Sequence, residues 1–105
     1  MTDAPEGPGK LVLRLFVVAG APNSNAARAN LSAILSPLEP GAYALELVDC
    51  LSEPQRALAE GVLVTPTLLK LAPDPSQTII GSLSDRRSVV AALGLSGAEA
   101  VGSEA

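Results

Sequence analysis

The sequence predicts one α/β domain in the order strand, helix, strand, helix, strand, strand, helix. Three observations carry that prediction. Lys10 to Ala19 (KLVLRLFVVA) is a near-continuous apolar run, the pattern of a strand buried on both faces. Ala27, Leu31, Ile34, Leu35 and Leu38 then recur at helical spacing, before Tyr43 to Leu51 returns to strand character. Pro73, Asp74 and Pro75 mark a turn between two further apolar stretches.

Each element follows from local chemistry. Gly20, Ala21 and Pro22 break the first strand, and Asn23 or Ser24 is placed to cap the helix. Pro37, Pro40 and Gly41 end that helix. In the second strand Tyr43, Leu45 and Leu47 alternate with Ala44 and Glu46. Strand, helix and strand make a βαβ unit, which implies a right-handed crossover and parallel pairing. Ser52 and Gln55 have the spacing of a capping box, so a short helix is expected over Gln55 to Glu60, stopped by Gly61. Val62 to Leu71 reads as a strand interrupted at Thr65-Pro66, because proline cannot donate to a ladder. Thr78 to Ile80 is a short strand ended by Gly81. Ser84 can cap a last helix running to about Leu93. A parallel pair, a hairpin and covering helices form the thioredoxin-like architecture, and residues 10–95 are expected to form the domain. Met1 to Gly9 is expected to be a flexible N-terminus, and the small, acidic segment Ser96 to Ala105 a disordered tail.

Composition excludes several functions. With net charge −4 and two aromatics, Phe16 and Tyr43, the chain has neither a basic stripe for phosphates nor a stacking platform for bases. No nucleic-acid partner is expected. No apolar stretch approaches the ~20 residues of a membrane span, so no membrane partner is expected either. The N-terminus lacks a positive region followed by an apolar run, and there is one cysteine; a cytoplasmic protein is expected. Histidine is absent, which removes the commonest general base and metal ligand. No metal, no cofactor and no catalytic residue is expected. A single Gly20 after the first strand is no dinucleotide fingerprint.

The place where a thioredoxin carries its dithiol reads Ala21-Pro22-Asn23-Ser24, with no cysteine, and its plain reading is a capping turn. Cys50 stands alone at the end of a strand and reads as a small, partly buried hydrophobe. A redox enzyme using Cys50 alone is disfavoured.

Phe16 to Ser24 (FVVAGAPNS), Tyr43-Ala44-Leu45 with Val48-Asp49, Thr65-Pro66-Thr67-Leu68, and Ile79-Ile80-Gly81 with Leu83-Ser84 occur in an order and spacing that resemble the KaiB circadian-clock family. Each motif alone is weak, whereas the ordered set is specific and spans about residues 10 to 95. The resemblance implies a non-enzymatic regulator that docks onto a KaiC-like ATPase, with KaiA or an output kinase as further partners. The alternative is a KaiB-like paralogue, or a detached sensor-kinase-type input domain, with a different protein partner in a timing or stress system.

The resemblance also implies two folds: a thioredoxin-like monomer that binds KaiC, and a tetrameric ground-state fold with a rearranged C-terminal half. The chain is therefore expected as a monomer or a homo-tetramer. Partner binding is expected along the second strand and beyond the short helix, at Tyr43, Ala44, Glu46, Asp49 and Gly61. Pro66 occupies the place where thioredoxin-like folds keep a cis-proline, and with Pro73, Pro75, Ala92 and Gly94 it marks the fold-switching positions.

Arg86 to Leu95 (RRSVVAALGL) mixes helix-favouring Ala91, Ala92 and Leu93 with strand-favouring Val89 and Val90. Where the family commonly has Gly and Asp, this chain has Ala92 and Gly94. Ala over Gly favours a helix interior by ~1 kcal/mol, so the thioredoxin-like state is expected to be more populated here than in a typical member. Where the family has basic residues facing KaiC, this chain has Ala26, Glu46, Gly61, Gln77 and Thr78.

Overall fold

The computed structural model of the chain describes residues 10–95. The flexible terminus and the acidic tail expected on either side lie outside the described residues. The elements are β1 (Leu11–Val17), α1 (Pro22–Leu35), β2 (Tyr43–Asp49), α2 (Pro54–Ala59), β3 (Thr67–Ala72), β4 (Gln77–Ile80) and α3 (Arg86–Ala92). A single 3-10 turn, Pro40–Ala42, precedes β2.

The four strands form one sheet in the order β2-β1-β3-β4. β1 and β2 run parallel, pairing Leu11 with Tyr43 at one end and Val17 with Asp49 at the other. β3 runs antiparallel to both β1 and β4. The thioredoxin-like order is therefore observed, with β2 and β4 as the two edges.

Strand alternation sends successive β1 side chains to opposite faces. Leu11, Leu13, Leu15 and Val17 enter the main core with Ala27, Leu31, Ile34 and Leu35 of α1 and Val89, Val90 and Leu93 near α3. Each buried Leu or Val contributes roughly 1.5–3 kcal/mol relative to exposure. Phe16 enters a smaller core on the opposite face, with Val48, Ala57 and Val62. The apolar run of β1 is thus buried along one face, but on the other only at Phe16; Val12 and Arg14 are half-buried.

Several expected caps are replaced. The N-cap of α1 is Ala21 and Pro22 opens the helix, because proline needs no N–H partner there. Ser24 is buried inside the helix and its Oγ accepts from the Val18 N–H at 3.0 Å. The capping box at Ser52 and Gln55 does not form. α2 starts at Pro54 behind Glu53, and the Ser52 hydroxyl donates instead to Asp49. The last helix is capped by Asp85 rather than Ser84, its carboxylate accepting from the Ser88 N–H at 3.2 Å. β3 begins only after Pro66, so Val62 to Thr65 is loop rather than strand.

Val89 and Val90 are helical despite their strand preference, because in α3 both are buried against the sheet. Gly94 follows the C-cap with φ +81°, and its N–H donates to Ala91 while that of Leu95 donates to Val90. This paired closure satisfies the last helical carbonyls and needs a left-handed residue.

Candidate functional site

The second strand is an open edge, and its register shows what it offers. Cys50 donates its N–H to the Val17 carbonyl at 2.8 Å. By strand alternation the backbone groups of Ala44, Glu46 and Val48 turn the same way, toward β1. Those of Tyr43, Leu45 and Leu47 therefore face away from the sheet. The side chains of these three lie along the α1 face of the strand, where a groove of about 470 Å³ runs between α1 and β2. Leu31 and Leu35 line it on the helix side, with Asn25 and Arg28 at its rim. Leu45 is 38% exposed and Leu47 45%. Alternation along β2 was legible in the sequence, but at an edge it does not deliver burial.

The opposite face of β2 carries charge. Arg14 and Glu46 are direct register partners on β1 and β2. Arg14 Nε donates to Glu46 Oε1 at 2.8 Å, and its Nη1 donates to both Glu60 carboxylate oxygens at 2.8 and 2.7 Å. From α2, Arg56 donates to both Glu46 oxygens, at 2.6 and 3.0 Å, with Glu53 a further 3.6 Å neighbour. Glu46 is thus clamped by two guanidiniums from two elements. Hydrogen bonds from Arg56 first, then Arg14, hold its carboxyl down to about 2, well below the ordinary range. Arg14 is pushed upward by its bonds to Glu60 first and then Glu46, and Arg56 by its bonds to Glu46.

Of the expected partner-binding residues, the structure collects Tyr43, Ala44, Glu46 and Asp49 on β2. Asp49 is engaged in the following turn, accepting from the Leu51 N–H and the Ser52 hydroxyl at 3.0 and 3.1 Å. Gly61, with φ +75°, follows Glu60 at the end of the charged chain. The remaining marked positions stand elsewhere, since β1 separates β2 from β3. Pro66 is buried at the start of β3, Pro73 and Pro75 lie between β3 and β4, and Ala92 and Gly94 close α3. The Thr65–Pro66, Ala72–Pro73 and Asp74–Pro75 peptide bonds are cis.

Sequence reasoning missed Arg14, Arg56 and Glu60 as one group. The available signal was Arg14, a lone charge inside an apolar strand. It missed Lys70 likewise. Lys70 is buried, and a Cβ on Gly94 would lie 3.7 Å from its Nζ. Its ammonium therefore sits at the C-terminal end of α3, where the helix dipole favours a cation.

Cys50 is half-buried against the smaller core, and burial, with Asp49 nearby, pushes its thiol up. A raised thiol holds less of the nucleophilic thiolate. Among the described residues no three His, Cys, Asp or Glu side chains are grouped so as to hold a metal ion. No described helix is long and apolar enough to cross a membrane.

Comparison with known proteins adds a family to this geometry. A KaiB domain model matches residues 14–95. The circadian clock oscillator protein KaiB of a Cyanothece strain is 45% identical over 84 residues, covering 80% of each chain. That of a Prochlorococcus marinus strain is 43% identical over 93 residues, covering 89% of this chain and 82% of its own. Among solved structures, the N-terminal domain of Synechococcus elongatus SasA superposes with TM-score 0.65 at 27% identity, over 80% of this chain and 83% of that one. Fasciola hepatica thioredoxin also reaches TM-score 0.65, at 15% identity and 86% of each chain, a likeness of fold alone.

Proposed function

The chain belongs to the KaiB family, and from that premise we propose that it is a clock-type regulatory protein that acts by binding, docking onto a KaiC-like ATPase. The observation that carries this reading is the open β2 edge. Tyr43, Leu45 and Leu47 present their backbone donors and acceptors outward, beside an apolar groove. A partner strand laid on such an edge gains main-chain hydrogen bonds, and side-chain pockets beside it give selectivity. Tyr43, Ala44, Glu46, Asp49 and Gly61 are the proposed contact residues, with KaiA or an output kinase as further partners on the assembled complex. Cys50 takes no part, consistent with its raised thiol and with Ala21 to Ser24 in the dithiol position.

The test is binding of the fluorescently labelled chain to a cyanobacterial KaiC hexamer, read by anisotropy. The wild-type chain should bind. Leu45→Pro, which removes an outward N–H without touching the β1 ladder, and Leu47→Glu should each weaken binding about tenfold or more, the scale of a central interface residue. Cys50→Ser should bind as the wild type does. A wild-type chain that fails to bind, or edge variants that bind undiminished, would refute the reading.

A further inference from the structure

Helix α2 is held to the fold differently from the other two helices. Of its six residues only Ala57 is buried, and no side chain caps its N-terminus. Burying a single methyl offsets less than the entropy lost in ordering even one residue's backbone. Val62, just past the helix, adds one more buried side chain. By contrast α1 buries five residues, including Leu31, Ile34 and Leu35.

Charge supplies what packing lacks. Arg56, inside α2, makes two hydrogen bonds to Glu46 on β2. Glu60, one residue beyond α2, accepts two from Arg14 on β1. The helix is therefore tied to two strands, near its middle and at its end, and both ties meet through Glu46 and Arg14.

We propose that α2 is a latched element, fastened to the sheet by the Arg56–Glu46 and Glu60–Arg14 pairs, and that it opens as a unit while the rest of the sheet stays closed. Glu46 is the positioning residue of the latch, since its carboxylate is shared by both arginines. It also couples α2 to the open edge, because the strand that carries Glu46 is the strand that presents Tyr43, Leu45 and Leu47. Opening α2 uncovers Phe16 and Val48, two side chains with no exposure in the closed form. These adjoin Ala57 and Val62 in the smaller core. The inference rests on the ion-pair network and on the burial of α2, and is independent of which protein docks at the edge.

Hydrogen exchange followed by NMR tests it on the free chain. The reporters are the amides of Glu60, Gly61 and Val62, which donate to carbonyls of Arg56, Leu58 and Ala57. The β1 amides paired within the sheet serve as the reference. In the wild-type chain, raising NaCl to 1 M shortens the screening length to about 3 Å. Exchange at the three reporters should then rise about threefold to tenfold with the β1 amides unmoved. In Glu46→Gln the reporters should exchange faster already at low salt and respond less to added salt, since of the two ties only Glu60–Arg14 is left to be screened. Salt-independent reporters in the wild type would overturn the proposal without need of the variant. So would a loss of protection in Glu46→Gln spread evenly across β1 and β3, which would make Glu46 a general stabiliser.

Discussion

At Glu46 one carboxylate accepts from two guanidiniums on two elements, and its titration follows from that geometry. Its folded value is held down to about 2 from an ordinary 4.5. A carboxyl depressed on folding contributes stability that is full above its unfolded value and is lost as pH falls through its folded value. The difference in urea midpoint between wild type and Glu46→Gln should therefore be constant above ~pH 5, shrink below that, and nearly vanish around pH 2. A difference that persists at pH 2 would mean that the charge of Glu46 is not what matters. At this scale the sequence was only partly readable. Glu46 stood out for its sign, but its fixation by Arg14 and Arg56 was invisible, because it depends on the register that sets Arg14 opposite Glu46. Ser24 had the chemistry of a cap, yet its buried place inside α1 gave its oxygen to Val18 instead.

At the scale of elements, α3 shows how a segment of mixed preference is decided. Val89 and Val90 favour strand, but both are buried in the helical form, and Asp85 and Gly94 close its two ends. Gly94→Ala isolates the backbone contribution. The added Cβ would meet Lys70 Nζ at 3.7 Å, an ordinary contact, so space is not the obstacle. The left-handed conformation is, and the variant should lose about 1–2 kcal/mol in denaturant unfolding. An unchanged midpoint would mean that α3 does not depend on this closure. Element order and type were legible from periodicity. Boundaries were less so, since proline placement rather than Ser or Gln chemistry set the starts of α1 and α2.

For the whole molecule, a large core on one sheet face is set against a small core and a charge network on the other. Leu15 has no exposure, and Leu15→Ala should cost about 2–5 kcal/mol of unfolding free energy. Leu63 is 86% exposed, and Leu63→Ser should stay within about 0.5 kcal/mol. Thermal or urea unfolding of the two variants checks this asymmetry. If the two losses were alike, the assignment of the core to the α1 and α3 face would fail.

Periodicity is a property of neighbouring residues, and it was enough to reach the order of strands and helices and, with the crossover rule, the parallel first pair. The family was legible only as a resemblance carried by the ordered motifs from Phe16 to Ser84. No alternation pattern states which strand ends at an edge. The exposure of Leu45 and Leu47, the outward backbone of β2 and the meeting of Arg14, Glu46, Arg56 and Glu60 all follow from the strand order β2-β1-β3-β4. That order is set by burial between residues far apart in the chain, which local spacing does not encode.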